Sequence, residues 1–157
     1  MSKICCVYTR CSPNEQARGE YSLEYQEEKC KEYIQNKKYK YFRTYTDAGI
    51  SGNVPWDKRE GMNQLIQDMK LERFDTIVLH TFDRLGCTMI IAYKIIGILE
   101  NYQINILECQ HDIDTSTTDG NNRMAMSLTI SYAERLRSME GSKEREEAED
   151  IYFSNSD

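Results

Sequence analysis

The chain has 157 residues, of which 29% are charged and 39% are apolar, and its formal net charge is −6. This length suits one domain with its own hydrophobic core. The net negative charge excludes a strongly basic surface as the main means of binding nucleic acid. No apolar run is long enough to span a membrane and the N-terminus has no secretory pattern, so we expect a cytoplasmic protein without membrane partners.

Short apolar runs alternate with amphipathic segments along the chain. The run KICCVY predicts a buried first strand, and the alternating, aromatic run YFRTYTD predicts a second. Ser22 is placed to cap a helix, and Met62, Leu65, Ile66 and Met69 keep the spacing of a buried helical stripe. The predicted elements are, in order, a strand over 3–8, a polar loop over 9–21, a helix over 22–37, a strand over 41–47, a loop to 59, a helix over 60–71, a strand over 76–80, a core-facing helix through 91–102, a strand over 105–109, a polar loop and a last helix from about 121.

This order of strands and helices predicts an α/β fold. It favours a mostly parallel sheet of four to five strands, with helices on both faces and a long C-terminal helix. We expect residues 1–120 to form the α/β core, residues 121–147 the long helix of the same domain, and residues 148–157 a disordered tail. No helix-turn-helix or zinc-ribbon pattern follows the long helix, so we expect a DNA-binding domain to be absent from this sequence.

Charged and hydroxyl side chains follow the predicted strands at their carboxyl ends, where parallel sheets place their chemistry. Arg10 and Ser12 follow the first strand, with Tyr8 on the same side of the alternating backbone. The loop after the second strand leads to Arg59, and the loop after the third carries Arg84. Guanidinium forks bind phosphate oxygens, and a serine among them can attack phosphorus. These residues therefore predict a phosphate site.

Residue types alone leave a structural explanation open. Arg84 would then pair with Asp47 or Asp75, and Ser12 would only cap a turn. Structural ion pairs of this kind are common, so the choice depends on how specific the spacing of the motifs is.

Two metal interpretations fit the sequence poorly. Asp112, Asp114 and Asp119 lie close together, but the glycine and glutamate of a calcium loop are missing, and a helix cap explains Thr118 or Asp119 better. The six cysteines form no CxxC pair, which favours reduced thiols over disulfides or structural zinc. We therefore expect no metal.

Six motifs follow one another along the chain. YTRCS is followed by EYSLEYQEEKCKEY, YTDAGISG, KREGM, FDTIVLHTFDRLG and IDTSTTDG. Their order and separations resemble the large serine recombinases and their resolvase and invertase relatives. The resemblance covers nearly the whole predicted domain and implies a resolvase-like fold.

The resemblance implies a role for each matching residue. In that family the serine of YxRxS forms a transient 5′-phosphoserine bond with double-stranded DNA, and here that residue is Ser12. Arg10, Arg59 and Arg84 resemble the family's phosphate-binding arginines. The supporting residues that we expect at the site are Tyr8, Gln26, Asp75, Asp83, Glu134 and Arg135.

The resemblance also implies how the chain acts. A phosphoserine link conserves the energy of the broken phosphodiester bond, so the reaction needs no cofactor, metal or nucleotide. Coordinated strand exchange implies double-stranded DNA as the partner and a homodimer that assembles into a tetramer, with the long helix as the dimer contact.

Departures from the family pattern leave an alternative open. Cys87 stands where the family commonly has a second arginine after DRL, and the segment after Glu134 and Arg135 lacks the usual isoleucine and later arginine. Glu60 replaces a proline that usually follows the arginine at position 59. Losing one charge-stabilising donor costs roughly 100- to 1,000-fold in rate. The alternative is a catalytically weakened or inactive relative that acts as a dimerisation or regulatory module.

Overall fold

The structure, a computed structural model, describes residues 2–19, 22–138 and 151. Strands and helices alternate along this part of the chain. The strands are β1 (Ile4–Arg10), β2 (Lys40–Asp47), β3 (Thr76–Leu79), β4 (Asn105–Glu108) and β5 (Ile113–Asp114), and the α-helices are α1 (Pro13–Arg18), α2 (Leu23–Asn36), α3 (Glu60–Lys70), α4 (Met89–Asn101) and α5 (Thr118–Ser138). Two 3-10 turns, Trp56–Lys58 and Phe82–Arg84, precede α3 and α4.

The five strands form one sheet in the order β2-β1-β3-β4-β5. The first four run parallel, and β5 pairs antiparallel with β4. Parallel neighbours need crossover connections, and α2, α3 and α4 supply them. The predicted α/β fold with a mostly parallel sheet is confirmed, and the carboxyl ends of its parallel strands meet along one edge.

Alternate residues of β1 enter two separate cores. Cys6 and Tyr8 belong to the larger core, which contains the apolar stripes of α3, α4 and α5. Cys5 and Val7 belong to a smaller core beneath α2. Because a strand points successive side chains to opposite faces, helices cover both faces of the sheet, as predicted.

The helical stripes differ in how well they were predicted. The stripe of α3 is confirmed, since its four apolar residues are at most 2% exposed; they are Met62, Leu65, Ile66 and Met69. The helix predicted through 91–102 was expected to face the core along its length, but Tyr102 at its end is 48% exposed. The reason is that α4 ends at Asn101, so the ring lies beyond the last buried turn.

The segment predicted as a polar loop over 9–21 is largely regular where the structure describes it. β1 continues to Arg10, and α1 follows almost at once. Ser12 caps α1, Pro13 suits its first turn, and Gly19 ends it at φ 70°, in the left-handed region that favours glycine. The loop prediction was wrong because a six-residue helix is too short to show a hydrophobic period.

The last helix starts earlier than predicted. It begins at Thr118 rather than near 121, and Thr117 Oγ1 caps it by accepting a hydrogen bond from Gly120 N (2.8 Å). The predicted cap at Thr118 or Asp119 is therefore wrong by one or two residues. Helix starts are set by such local bonds, which the hydrophobic stripe does not reveal.

The predicted division of the chain can be followed as far as Ser138. Residues 139–147 of the predicted long helix lie outside the described residues, and so does the predicted tail over 148–157 apart from Ile151. Of the helices that the structure describes, none has the length and apolar character required to cross a bilayer.

Candidate active site

The carboxyl edge of the sheet gathers the residues that the sequence singled out. β1 ends at Arg10 and leads to Ser12, Arg59 lies directly before α3, and Arg84 ends the turn after β3. Arg84 Nη1 donates to Arg10 O, and Arg10 Nε donates to Arg84 O, both at 2.8 Å. Arg59 Nη1 donates to the carbonyl of Leu85, next to Arg84 (2.5 Å). The structure therefore brings Ser12 and the three predicted arginines together.

Ser12 is half-buried at the start of α1. Its Oγ accepts a hydrogen bond from Glu15 N (3.1 Å), and its own N–H donates to Glu15 Oε1 (2.8 Å), which together form a capping box. The structural explanation is thus correct that Ser12 caps a turn. The hydroxyl still has its own proton to give and a further lone pair, and the residue lines a cavity. Capping does not prevent it from reacting.

Two carboxylates hold the side chain of Arg84. Its Nη1 and Nη2 donate to the two oxygens of Glu15 (3.2 and 3.1 Å), and its Nε and Nη2 donate to the two oxygens of Asp83 (both 3.2 Å). Arg84 is 1% exposed and Glu15 is 6% exposed. We call Arg84, Glu15 and Asp83 the carboxylate cluster. Arg84 therefore pairs with Glu15 and Asp83, and not with Asp47 or Asp75, which the structural explanation named.

Burial and charge oppose each other in the carboxylate cluster. Burial lowers the pKa of the Arg84 guanidinium, but the charges and hydrogen bonds of Asp83 and Glu15 raise it further than burial lowers it. Burial raises the pKa of the Glu15 carboxyl, and the hydrogen bonds and charge of Arg84 lower it below its ordinary value. Burial also raises the pKa of the Asp83 carboxyl, but the charge and hydrogen bonds of Arg84 lower it to about 2. All three groups are therefore charged at neutral pH.

Arg10 is fully buried and donates to main-chain carbonyls. Its Nε, Nη1 and Nη2 donate to the carbonyls of Arg84, Ile50 and Asp83 (2.8, 3.0 and 3.1 Å). Burial lowers the pKa of this guanidinium, and the positive charge of Arg84 lowers it further. Gln26 holds the backbone of Arg10 by donating to its carbonyl (3.0 Å) and accepting from its N–H (3.3 Å). The predicted supporting residue Gln26 therefore fixes the end of β1.

Arg59 makes the same kind of contact as Arg10. Its Nε, Nη1 and Nη2 donate to the carbonyls of Val54, Leu85 and Gly52 (2.8, 2.5 and 3.0 Å). Arg59 is 0% exposed. Its guanidinium thus fastens the loop after β2 to the turn after β3, and its donors are engaged by the protein itself.

Asp47 supplies the cap that Arg59 does not give to α3. The Asp47 carboxylate accepts from Gly61 N (2.7 Å) and Met62 N (3.1 Å), and Tyr8 Oη donates to it (2.7 Å). A side chain at Gly61 would place its Cβ 2.6 Å from the Thr46 carbonyl, so only glycine permits this approach. The predicted supporting residue Tyr8 acts on the site indirectly, through Asp47.

The other predicted supporting residues lie at different places. Arg135 of α5 reaches the carboxylate cluster, with Nη1 4.0 Å from Asp83 Oδ2, and Glu134 is exposed beside it. Asp75 does not join the site. It precedes β3 and accepts from Ile4 N (3.0 Å), which places it at the amino edge of the sheet, opposite the arginines.

A cavity of about 1070 Å³ opens between the carboxyl edge and α5. Ser12, Glu15 and Arg84 line one side, and Met126 and Ile130 line the other. Met126 is 65% exposed and Ile130 is 52% exposed. Ligand sites in proteins occupy roughly 300–1,000 Å³, so the space suits part of a large substrate beside Ser12.

Cys87 lines the same cavity. It occupies the position at which the resembling family commonly has an arginine. Its thiol donates to Asn53 Oδ1, and its N–H donates to Gly52 O (3.4 Å). Burial raises the pKa of the thiol, although the charge of Arg135 partly opposes this. The thiol is therefore neutral at pH 7 and adds no positive charge to the cavity.

Two acidic residues that line the cavity together with Ser12 were not predicted. Glu15 could have been found from the spacing S-x-x-E, which is the sequence signature of a capping box. Glu108 gives no such signal, because it is a buried carboxylate at the end of a strand. Its Oε2 accepts from Phe82 N (3.0 Å) and its Oε1 bonds His111 Nδ1.

Neither a metal-binding cluster nor a disulfide occurs among the residues that the structure describes. Among residues 2–19, 22–138 and 151, no three His, Cys, Asp or Glu side chains are arranged to hold a metal ion. All six cysteines are reduced, and the sulfur atoms of Cys30 and Cys109 lie 3.9 Å apart.

The chain is similar to several known proteins. Residues 5–150 match the family model described as the N-terminal domain of resolvase. The N-terminal catalytic domain of TP901-1 integrase is 28% identical with a TM-score of 0.68, covering 85% of this chain and 97% of that chain. A resolvase family site-specific recombinase from Streptococcus pneumoniae is 23% identical with a TM-score of 0.64, covering 89% and 95%. The C-terminal catalytic domain of ISC1926 TnpA, an IS607-like serine recombinase, is 19% identical with a TM-score of 0.58, covering 98% and 99%.

The last two likenesses show the fold alone, because their identities fall below a quarter. A search of curated proteins found no significant match.

Proposed function

The chain belongs to the resolvase family, whose N-terminal domain matches most of its length, and we propose that it recombines double-stranded DNA with Ser12 as the nucleophile. Site-specific recombination is the general activity of this family. Arg84 is the proposed phosphate-binding residue, and Arg10 and Arg59 shape the edge on which it stands. The likeness to the catalytic domain of TP901-1 integrase supports this proposal.

One observation carries the proposal. Ser12 N and Arg84 Nη1 donate to the same atom, Glu15 Oε1 (2.8 and 3.2 Å), so the two nitrogens lie no more than 6 Å apart. Both residues line the cavity between the carboxyl edge and α5. An anion that reaches Arg84 through this cavity comes within reach of the Ser12 hydroxyl.

The proposed reaction is a transesterification. Ser12 Oγ attacks a DNA phosphorus, the new Oγ–P bond forms, and the bond from phosphorus to the 3′ oxygen breaks. The serine gives up its proton and the leaving 3′ oxygen gains one, so the products are a 5′-phosphoserine and a 3′-hydroxyl. The guanidinium of Arg84 stabilises the negative charge that grows on the phosphate oxygens. The reverse attack by another 3′-hydroxyl rejoins the strands without an external energy source.

Pairing of two copies through α5 is part of the proposal. Met124, Leu128 and Tyr132 on one side of α5 are buried in the core, whereas Met126 and Ile130 on the other side are more than half exposed. Large apolar side chains grouped on an exposed helix face are typical of a protein contact. We propose a homodimer through this face, and a tetramer during strand exchange.

A weakened or inactive relative remains the second candidate function. Cys87 adds no charge to the cavity, and all the N–H donors named above for Arg10 and Arg59 are engaged by the protein's own carbonyls. In this alternative the fold dimerises and regulates a recombination complex without cleaving DNA.

Covalent capture of DNA tests the two functions. The purified chain is incubated with a pool of duplex DNA and denatured, and the DNA that stays attached to protein is quantified. Wild-type protein is expected to retain DNA, and Ser12→Ala none. Ser22→Ala is the matched control, because it also removes a serine that caps a helix but lies away from the cavity. Equal retention by wild type and Ser12→Ala would refute the nucleophile assignment.

The Cys87→Arg variant separates a weakened enzyme from an inactive one. A guanidinium at this position would reach the cavity and add the missing charge, so we expect capture to rise by roughly 10-fold or more. Unchanged capture by Cys87→Arg would contradict the view that this cysteine limits the reaction.

A further inference from the structure

Glu15 takes no part in the proposed bond changes, yet its carboxylate sits against the proposed phosphate-binding group. It accepts hydrogen bonds from Arg84 Nη1, Arg84 Nη2 and Ser12 N (3.2, 3.1 and 2.8 Å). It is only 6% exposed and lines the cavity beside Ser12. A buried anion thus stands between the serine and the arginine.

The contact has the geometry that a phosphate would use. A guanidinium edge binds two oxygens of a carboxylate or two oxygens of a phosphodiester with the same pair of parallel N–H donors. In Arg84 the Nη1–Nη2 edge faces Glu15, and the Nε–Nη2 edge faces Asp83. A phosphodiester can therefore bind either edge in the same way only by displacing one of these two carboxylates.

Both carboxylates line the cavity, but Asp83 is held by more partners than Glu15, including Arg135, whose Nη1 lies 4.0 Å from Asp83 Oδ2. Asp83 precedes Arg84 in the chain, its carbonyl accepts from Arg10, and its carboxylate also accepts from Thr81 Oγ1 (2.5 Å). Glu15 stands on the six-residue helix α1, at the wall of the cavity. Its departure opens one edge of Arg84 and leaves Asp83 to hold the other.

We propose that Glu15 is a built-in competitor for the DNA phosphate, and that the substrate must displace its carboxylate from Arg84 before Ser12 can attack. This inference rests on the proposed function. Two anions cannot share one guanidinium edge, so the apparent affinity for phosphate falls by the fraction of molecules in which Glu15 is in place. Glu15 thereby keeps the site closed until a correctly placed phosphate arrives.

Sulfate binding to the whole chain tests the displacement without requiring catalysis. Glutamine at the third helical position also completes a capping box, so Glu15→Gln removes the charge while keeping the local fold. Sulfate is titrated at constant ionic strength, and the side-chain Nε–H resonance of Arg84 and the amide resonance of Ser12 are followed by NMR. Glu28→Gln, on the exposed surface of α2, is the matched control for loss of one negative charge.

Glu15→Gln is expected to bind sulfate roughly 10-fold more tightly than wild type, and Glu28→Gln within about 2-fold of it. Equal or weaker binding by Glu15→Gln would overturn the inference, because Glu15 would then only support Arg84. A second measurement, on wild-type protein, tests the displacement even if Glu15→Gln does not fold. Saturating sulfate should move the Glu15 carboxyl carbon resonance toward that of exposed Glu28, and a bound sulfate that leaves it in place would refute displacement.

DNA capture separates failure of this inference from failure of the proposed function. At limiting DNA, Glu15→Gln should capture several times more DNA than wild type, because fewer sites are closed. Capture that depends on Ser12 but does not rise in Glu15→Gln would overturn the inference alone. Tighter sulfate binding with no capture by any variant would support the displacement and contradict the proposed function.

Discussion

The three buried arginines at the carboxyl edge of the sheet are held in two different ways. Arg10 and Arg59 donate to main-chain carbonyls, whereas Arg84 donates mainly to the carboxylates of Glu15 and Asp83. A carbonyl belongs to the backbone and cannot leave without opening a loop. A carboxylate on a side chain can rotate away and be replaced by another anion. From this contrast we propose that Arg10 and Arg59 hold the site together and that Arg84 is the arginine that binds the phosphate.

Removing a carbonyl-held arginine is expected to have the largest effect on stability. Arg59→Ala leaves three carbonyls without their donor, two of them in buried contacts, and creates a cavity, so we predict a loss of about 3–4 kcal/mol in the free energy of unfolding. Urea denaturation measures this loss. Arg73→Ala, at an exposed position in the loop before β3, should cost less than about 0.5 kcal/mol. An Arg59→Ala protein as stable as wild type would show that Arg59 is not a structural brace.

Breaking the carboxylate cluster is expected to have a smaller effect, and one that can be reversed. Arg84→Gln leaves the Glu15 carboxylate buried without its cation, which should cost about 3 kcal/mol. Adding Glu15→Gln removes that charge and should recover roughly 1–2 kcal/mol in a double-mutant cycle. Strictly additive losses would contradict a direct pairing of Arg84 with Glu15. No such rescue is expected for Arg59, because its partners are backbone atoms.

Acid should weaken the carboxylate cluster before it affects the carbonyl-held arginines. The pKa values of Glu15 and Asp83 are lower in the folded chain than their ordinary values, and that of Asp83 falls to about 2. A depressed pKa stabilises the fold above the unfolded pKa, and this contribution is lost as the pH falls through the folded pKa. The free energy of unfolding should therefore drop between about pH 4.5 and pH 2, by about 2 kcal/mol from Asp83.

Substitution assigns this loss to the cluster. Asp83→Asn and Glu15→Gln should each flatten the decline in stability over that pH range, and Glu28→Gln should leave it unchanged. A decline of the same slope in Asp83→Asn would place its origin elsewhere in the chain.

Much of the fold could be predicted because it depends on patterns that repeat. The apolar run KICCVY marked a strand and the stripe of α3 marked a helix, and the rule for parallel sheets brought Arg10, Arg59 and Arg84 to one edge. The same rule already separates Asp75 from them, because that residue precedes its strand rather than following it. Its inclusion in the predicted site did not follow from the topology.

The partners of the arginines could not be predicted from the same patterns. Which carbonyl faces Arg59 depends on how two loops pack, and loops have no hydrophobic period. Glu15 is the exception, since its spacing from Ser12 signals a capping box, but the sequence does not say that the same carboxylate also reaches Arg84. The local bond could be predicted, and the long-range bond could not.

Mass spectrometry of the captured complex tests the central claim most directly. Trypsin cleaves after Arg10 and Arg18, so Ser12 lies in the short peptide 11–18, CSPNEQAR. After nuclease digestion of wild-type protein captured on DNA, we predict that this peptide carries a nucleotide joined through phosphate, and that fragmentation places it on Ser12 rather than on Cys11. Captured DNA attached to any other residue, or this peptide recovered only in unmodified form, would contradict the claim that Ser12 attacks the phosphate.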